Sequence, residues 1–130
     1  MLVQIAVSIV ITLQGLAGNG TQVTNTDSAQ QTKLSPQEYL RELAGPDFEL
    51  LNTIVICESG WKNSAQNKTS SAGGLFQFLD STWSRYSSPS WDKYDPYQNI
   101  DAGIALFKKE GTKPWLESFS CWSSYANQNE

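Results

Sequence analysis

The sequence predicts a small, mainly α-helical domain with at most a vestigial strand or hairpin around residues 70–79. Three observations carry that expectation. A polar residue precedes proline at Ser35-Pro36 and at Asp95-Pro96, and a capping side chain followed by a ring with fixed φ is how helices start. Apolar residues recur at helical spacing, at Leu51, Ile54 and Val55 and again at Ile100, Ile104 and Phe107. The length of 130 residues allows one domain with a modest core.

Residues 1–17 come first and are the least like a folded element. Leu2 opens an apolar run that reaches Leu13, of signal-peptide length and short for a membrane span. Gly15-Leu16-Ala17 places small residues where a signal peptidase reads, although no Lys or Arg precedes the run. A secretory signal is therefore expected, against a retained anchor or a buried first helix. Residues 18–34 are polar without an apolar period and read as a flexible linker. Export makes the protein secreted or cell-wall associated. A membrane is then touched only through the N-terminal segment, if that stays uncleaved.

The folded part is expected over residues 35–125, with a polar tail at 126–130. Ser35, Pro36 and Glu38 form a capping box, and Tyr39, Leu40 and Leu43 make the first apolar stripe. Gly45-Pro46 ends this helix. A second helix is expected from Pro46 to Glu58, with Leu51, Ile54, Val55 and Glu58 on one face. Leu50, Ile54 and Cys57 lie on the neighbouring stripe, and Ser59-Gly60 breaks the helix. Residues 62–74 are a polar loop and residues 75–79 a short irregular apolar piece. Asp80 or Ser81 should cap a third helix bearing Trp83 and Tyr86. Asp95-Pro96 starts the fourth, which Lys108, Lys109 and Gly111 close. Pro114-Trp115-Leu116 should open a last helix carrying Cys121 and Trp122.

Composition excludes several functions. There is no histidine, so Ser-His-Asp and Cys-His nucleophiles are ruled out. Two cysteines cannot by themselves complete a zinc shell. No phosphate loop and no dinucleotide fingerprint is present, so neither metal nor cofactor is expected. A net charge of −4 argues against nucleic acid as a partner. In an exported chain, the even count of Cys57 and Cys121 suggests one disulfide, worth about 4 kcal/mol in the chain-entropy description.

The residues that carry chemistry sit in the middle third. Glu58 ends an apolar helix face, and such surroundings disfavour its anion and raise its pKa. A carboxyl that keeps its proton near neutral pH is what general acid cleavage of a glycosidic bond needs. Gly73 and Gly74 let backbone come close to a neighbour, and Gln77 is an amide within an apolar run that needs partners, an N-acetyl group among them. Of the five tryptophans, Trp83, Trp115 and Trp122 read as core, whereas Trp61 and Trp91 lie in polar loops and are candidates for stacking on sugar. Asp80 is the nearby candidate for a second carboxylate, and a helix cap explains it equally well.

Cys57-Glu58-Ser59-Gly60, followed by Gly74-Leu75-Phe76-Gln77-Phe78-Leu79-Asp80-Ser81-Thr82-Trp83, resembles the soluble lytic transglycosylase and lysozyme-like group, nearest to the small resuscitation-promoting-factor type domains. The similarity spans residues 35–123. It implies a lysozyme-like fold, Glu58 as catalytic acid, Gln77 as a substrate-contacting amide, and peptidoglycan cut between N-acetylmuramic acid and N-acetylglucosamine, with a related N-acetylated glycan such as chitin left open as the partner. Ser59, Trp61, Gly74, Phe76 and Trp91 are the further substrate-binding candidates, and the small secreted members pair cysteines as Cys57 and Cys121 would pair. A monomer is expected. The Tyr-Asn-x-Gly segment of larger transglycosylases is absent here. A lysozyme-type hydrolase, a glycan-binding module without turnover, and a structural domain with a merely helical Glu58 remain the alternatives.

Overall fold

The computed structural model describes residues 32–128, and the expected signal segment and residues 18–31 of the expected linker lie outside them. The described part is mainly helical. Helix α1 spans Pro36–Ala44. The Glu38 N–H donates to Ser35 Oγ at 3.3 Å and the Ser35 N–H donates back to the Glu38 carboxylate at 2.8 Å, which is the expected capping box. Leu40 and Ala44, four residues apart, face the core. Leu43, expected on the same stripe, is instead 43% exposed, because the buried strip of this short helix is only as wide as that pair.

Gly45–Asp47 form a single 3-10 turn, so helix α2 begins at Phe48 and not at Pro46, and it runs Phe48–Ser59. Leu51, Ile54 and Val55 are fully buried on it. The helix stops at Gly60, which takes a left-handed φ of 58° and donates to the Ile56 carbonyl.

Residues 66–78 make the vestigial hairpin, reduced to antiparallel bridges pairing Gln66 with Gly73 and Gly73 with Phe78. One buried amide fixes this loop. Asn99, 0% exposed, accepts from the Phe76 N–H at 3.0 Å and donates to the Lys93 carbonyl at 2.8 Å. Gly74 lies so close beneath that a Cβ would fall 2.2 Å from Asn99 Nδ2, and its φ of 79° also favours glycine. The glycine pair thus serves close packing of the chain on itself.

Helix α3 spans Asp80–Tyr86. Asp80 does not cap it. Leu79 occupies the cap position without a side-chain acceptor, Ser71 Oγ receives the Asp80 N–H, and the Asp80 carboxylate pairs with buried Lys93 at 2.6 Å. Helix α4 spans Pro96–Glu110, capped as expected by Asp95, which accepts from the N–H groups of Tyr97 and Gln98. Tyr39 on α1 donates to Asp101 on α4 at 2.7 Å and joins the two helices.

The last helix starts later than the proline suggests. Lys113–Ser118 form a kinked 3-10 segment, and α5 follows over Phe119–Ala126. The disulfide between Cys57 and Cys121 joins α2 to α5. One core cluster holds Leu40, Leu51, Ile54, Phe76, Ile100, Trp115 and Trp122. Trp83 packs on its margin, half-buried, with its ring edge-on to Phe78. Among the described residues no helix is long and apolar enough to cross a membrane.

Asn99→Ala should strand the Phe76 N–H and lower the unfolding free energy by about 1–3 kcal/mol. The shift is read as a lower urea midpoint at unchanged slope; a midpoint equal to that of the parent would show that this amide does not fix the loop.

Candidate active site

Glu58 stands in the last turn of α2, one turn beyond Ile54 and Val55. The helix must end there because Gly60 turns the chain away, so the carboxyl emerges at the margin of the core, half-buried. Burial raises its pKa above the ordinary 4.5. A hydrogen bond from Ser118 opposes that shift, and the charge of Glu117 adds to it, with an upward result. Ser118 Oγ donates to Glu58 Oε1 at 2.5 Å. A carboxyl in this state can give a proton to an oxygen and later recover one.

The sequence-predicted residues divide into two groups. Ser59, Gly74 and Phe76 are engaged by the fold itself. Ser59 is buried and donates back to the Val55 carbonyl at 3.1 Å. Gly74 lies under Asn99 and Lys93. Phe76 is 1% exposed, tilted against Trp115 and seated over Gly103. Each shapes the ground on which other residues stand.

Gln77, Trp61 and Trp91 keep exposed surface. Gln77 donates from Nε2 to the carbonyls of Gly74 at 2.9 Å and Ala65 at 3.2 Å, which fixes its side chain and leaves Oε1 as an acceptor. Trp61 donates from Nε1 to Asn52 on α2 at 3.0 Å, so its ring folds back beside the helix that carries Glu58. Trp61 and Gln77 are the non-glycine residues with positive φ, 61° and 53°, among the described residues. Backbone of that kind on bulky side chains gathers at functional sites. The two do not share a depression. Gln77 borders a cleft of about 190 Å³ with Thr82, Glu110 and Trp115, and Trp61 borders one of about 270 Å³ with Pro36, Asn63 and Pro96.

Ser118 and Glu117 carry no motif and stand about 60 residues from Glu58 in the chain. The cysteines held a signal for them. Cys57 adjoins Glu58, and Cys121 lies one helical turn after Ser118, so a bridge between them must bring the start of α5 against Glu58.

The transglycosylase SLT domain family matches residues 39–128. The chain belongs to that family. Glu58, Gln77, Ser118 and the disulfide all fall within the matched stretch. Membership supports a peptidoglycan-cleaving function of the lytic transglycosylase type. No curated protein and no solved structure matched the chain.

The raised pKa of Glu58 has a consequence for stability. The folded state binds this proton more tightly than the unfolded chain, so stability falls as pH rises from the unfolded value through the folded one. Glu58→Gln, neutral at every pH, should therefore melt higher than the parent at neutral and alkaline pH, and the difference should close below pH 4.5. Paired thermal scans across pH check this. A variant that melts lower than the parent at pH 8 would show that the carboxylate is not held at a cost.

Proposed function

We propose that this SLT domain cuts the β-1,4 bond between N-acetylmuramic acid and N-acetylglucosamine in peptidoglycan, with Glu58 as acid and then base. The half-buried carboxyl with a raised pKa carries the proposal. Glu58 gives its proton to the bridging oxygen as the bond from that oxygen to C1 breaks. The substrate's acetamido group steadies the positive charge left on the sugar ring. The Glu58 carboxylate then takes a proton from the C6 hydroxyl of the muramic acid, and that oxygen closes on C1 to give a 1,6-anhydro end. An intramolecular nucleophile already held beside the reacting carbon needs no second carboxylate to generate it. Gln77 Oε1 is assigned to a substrate amide N–H, and the Trp61 and Trp91 rings to sugar faces. An extracellular or periplasmic place of action follows from the substrate.

A second mechanism has one observation in its favour. The charge of Glu117 acts on Glu58, and two carboxylates flanking a glycosidic bond are the equipment of a hydrolase. In that version Glu58 deprotonates water in place of the C6 hydroxyl. Glu117 is solvent-exposed, and Asp80 is committed to Lys93, so the single-carboxylate route is preferred.

Glu58→Gln should fold and lose cleavage of purified peptidoglycan by roughly a hundredfold or more. Asp80→Asn and Glu117→Gln should retain turnover within about threefold. Parent activity should decline as pH passes the raised pKa of Glu58, because the acid must enter the reaction protonated. Release of soluble fragments from sacculi measures all of these. An active Glu58→Gln removes the acid from its role, and an inactive Glu117→Gln transfers the case to the hydrolase.

A further inference from the structure

Ser118 occupies the N-cap position of α5, where a serine hydroxyl ordinarily accepts from a backbone N–H of the first turn. Here it makes no such bond. Its Oγ lies instead 2.5 Å from Glu58 Oε1 and 3.0 Å from the Trp115 carbonyl. One hydroxyl hydrogen cannot serve both acceptors at once. The Trp115 carbonyl already receives Trp122 Nε1 at 2.9 Å and does not depend on Ser118. The hydrogen is thus left for the carboxyl, and a charged acceptor makes the stronger bond.

We infer that Ser118 is the positioning residue for the reaction proposed above: by donating to Glu58 Oε1 it leaves Oε2 to hold the acid proton and to face the sugar. The inference rests on Glu58 being the acid and base of that reaction. A carboxyl has two oxygens, and only a proton on the one facing the bridging oxygen is useful. A donor fixed on Oε1 disfavours a proton there in the neutral state, and it steadies the anion once the proton has left. The same contact therefore serves both halves of the reaction without movement of heavy atoms. Ser118 reaches this place because the disulfide holds α5 against α2. Glu117, its neighbour in the chain, is the charged group whose field reaches Glu58 from this side, and it works against the anion that Ser118 supports.

The test compares the parent with Ser118→Ala and Ser118→Thr. The Ala variant should fold, since the Trp115 carbonyl keeps its indole donor and no cap is removed. The Glu58 carboxyl is followed by ¹³C NMR titration, with Glu58→Gln identifying the resonance. Its pKa should move upward in Ser118→Ala, through loss of the donor, and stay with the parent in Ser118→Thr. On soluble glycan strands, Ser118→Ala should lose about tenfold in kcat with KM within about twofold, and Ser118→Thr should recover most of the rate. A titration that does not move in Ser118→Ala, or a Thr variant no better than Ala, overturns the assignment of Ser118 while the role of Glu58 stands. A titration that moves as expected in a parent that cleaves no peptidoglycan overturns the proposed function and the part of Ser118 in turnover with it.

Discussion

The structure turns on one constraint: a carboxyl group stands only half in water, at the end of an otherwise apolar helix face. Glu58 continues the stripe of Leu51, Ile54 and Val55, three side chains that are fully buried, and the helix ends just past it at a left-handed glycine. Gly60 thereby sets where the Glu58 carboxyl leaves the core. Because its pKa is raised, the Glu58 carboxyl works against stability as pH rises.

Two long-range ties make the arrangement definite. The disulfide fixes α5 on α2 at the residue before Glu58, and Ser118 reaches the carboxyl from the start of α5. In the loop before α3, Asn99 pins the backbone of residues 74–76, and Gln77 adopts a left-handed conformation with its amide nitrogen bonded to the loop. Lys93 adds a further clasp, joining the Ser71 carbonyl and Asp80 to the turn before α4. A site of this sort is held by a few polar contacts of high sequence separation around a small apolar core.

Much of this was legible in the chain. The capping box at Ser35 and the Asp95 cap are local chemistry, and local chemistry fixed both helix starts. The stripe on α2 placed Glu58 correctly at the edge of the core. What the chain could not show was tertiary. Asp80 looks like a helix cap in sequence because the lysine that claims it stands 13 residues away. Leu43 looks like core because periodicity does not reveal how narrow a short helix's contact is. The close approach that Gly74 permits reads alike in sequence whether the neighbour is a ligand or, as here, Asn99. Ser118 is one serine among many until the disulfide is drawn, and only then does its distance from Glu58 collapse.

The most direct test of a single-carboxylate transglycosylase is the chemistry of its product. Purified peptidoglycan digested by the parent and left unreduced is analysed by mass spectrometry. An anhydro end is lighter than a reducing end by one water, so the two outcomes differ in mass for every fragment. Intramolecular closure driven by Glu58 alone predicts fragments with 1,6-anhydro muramic acid ends as the main product. Fragments that carry only reducing ends would contradict it and would establish water as the nucleophile.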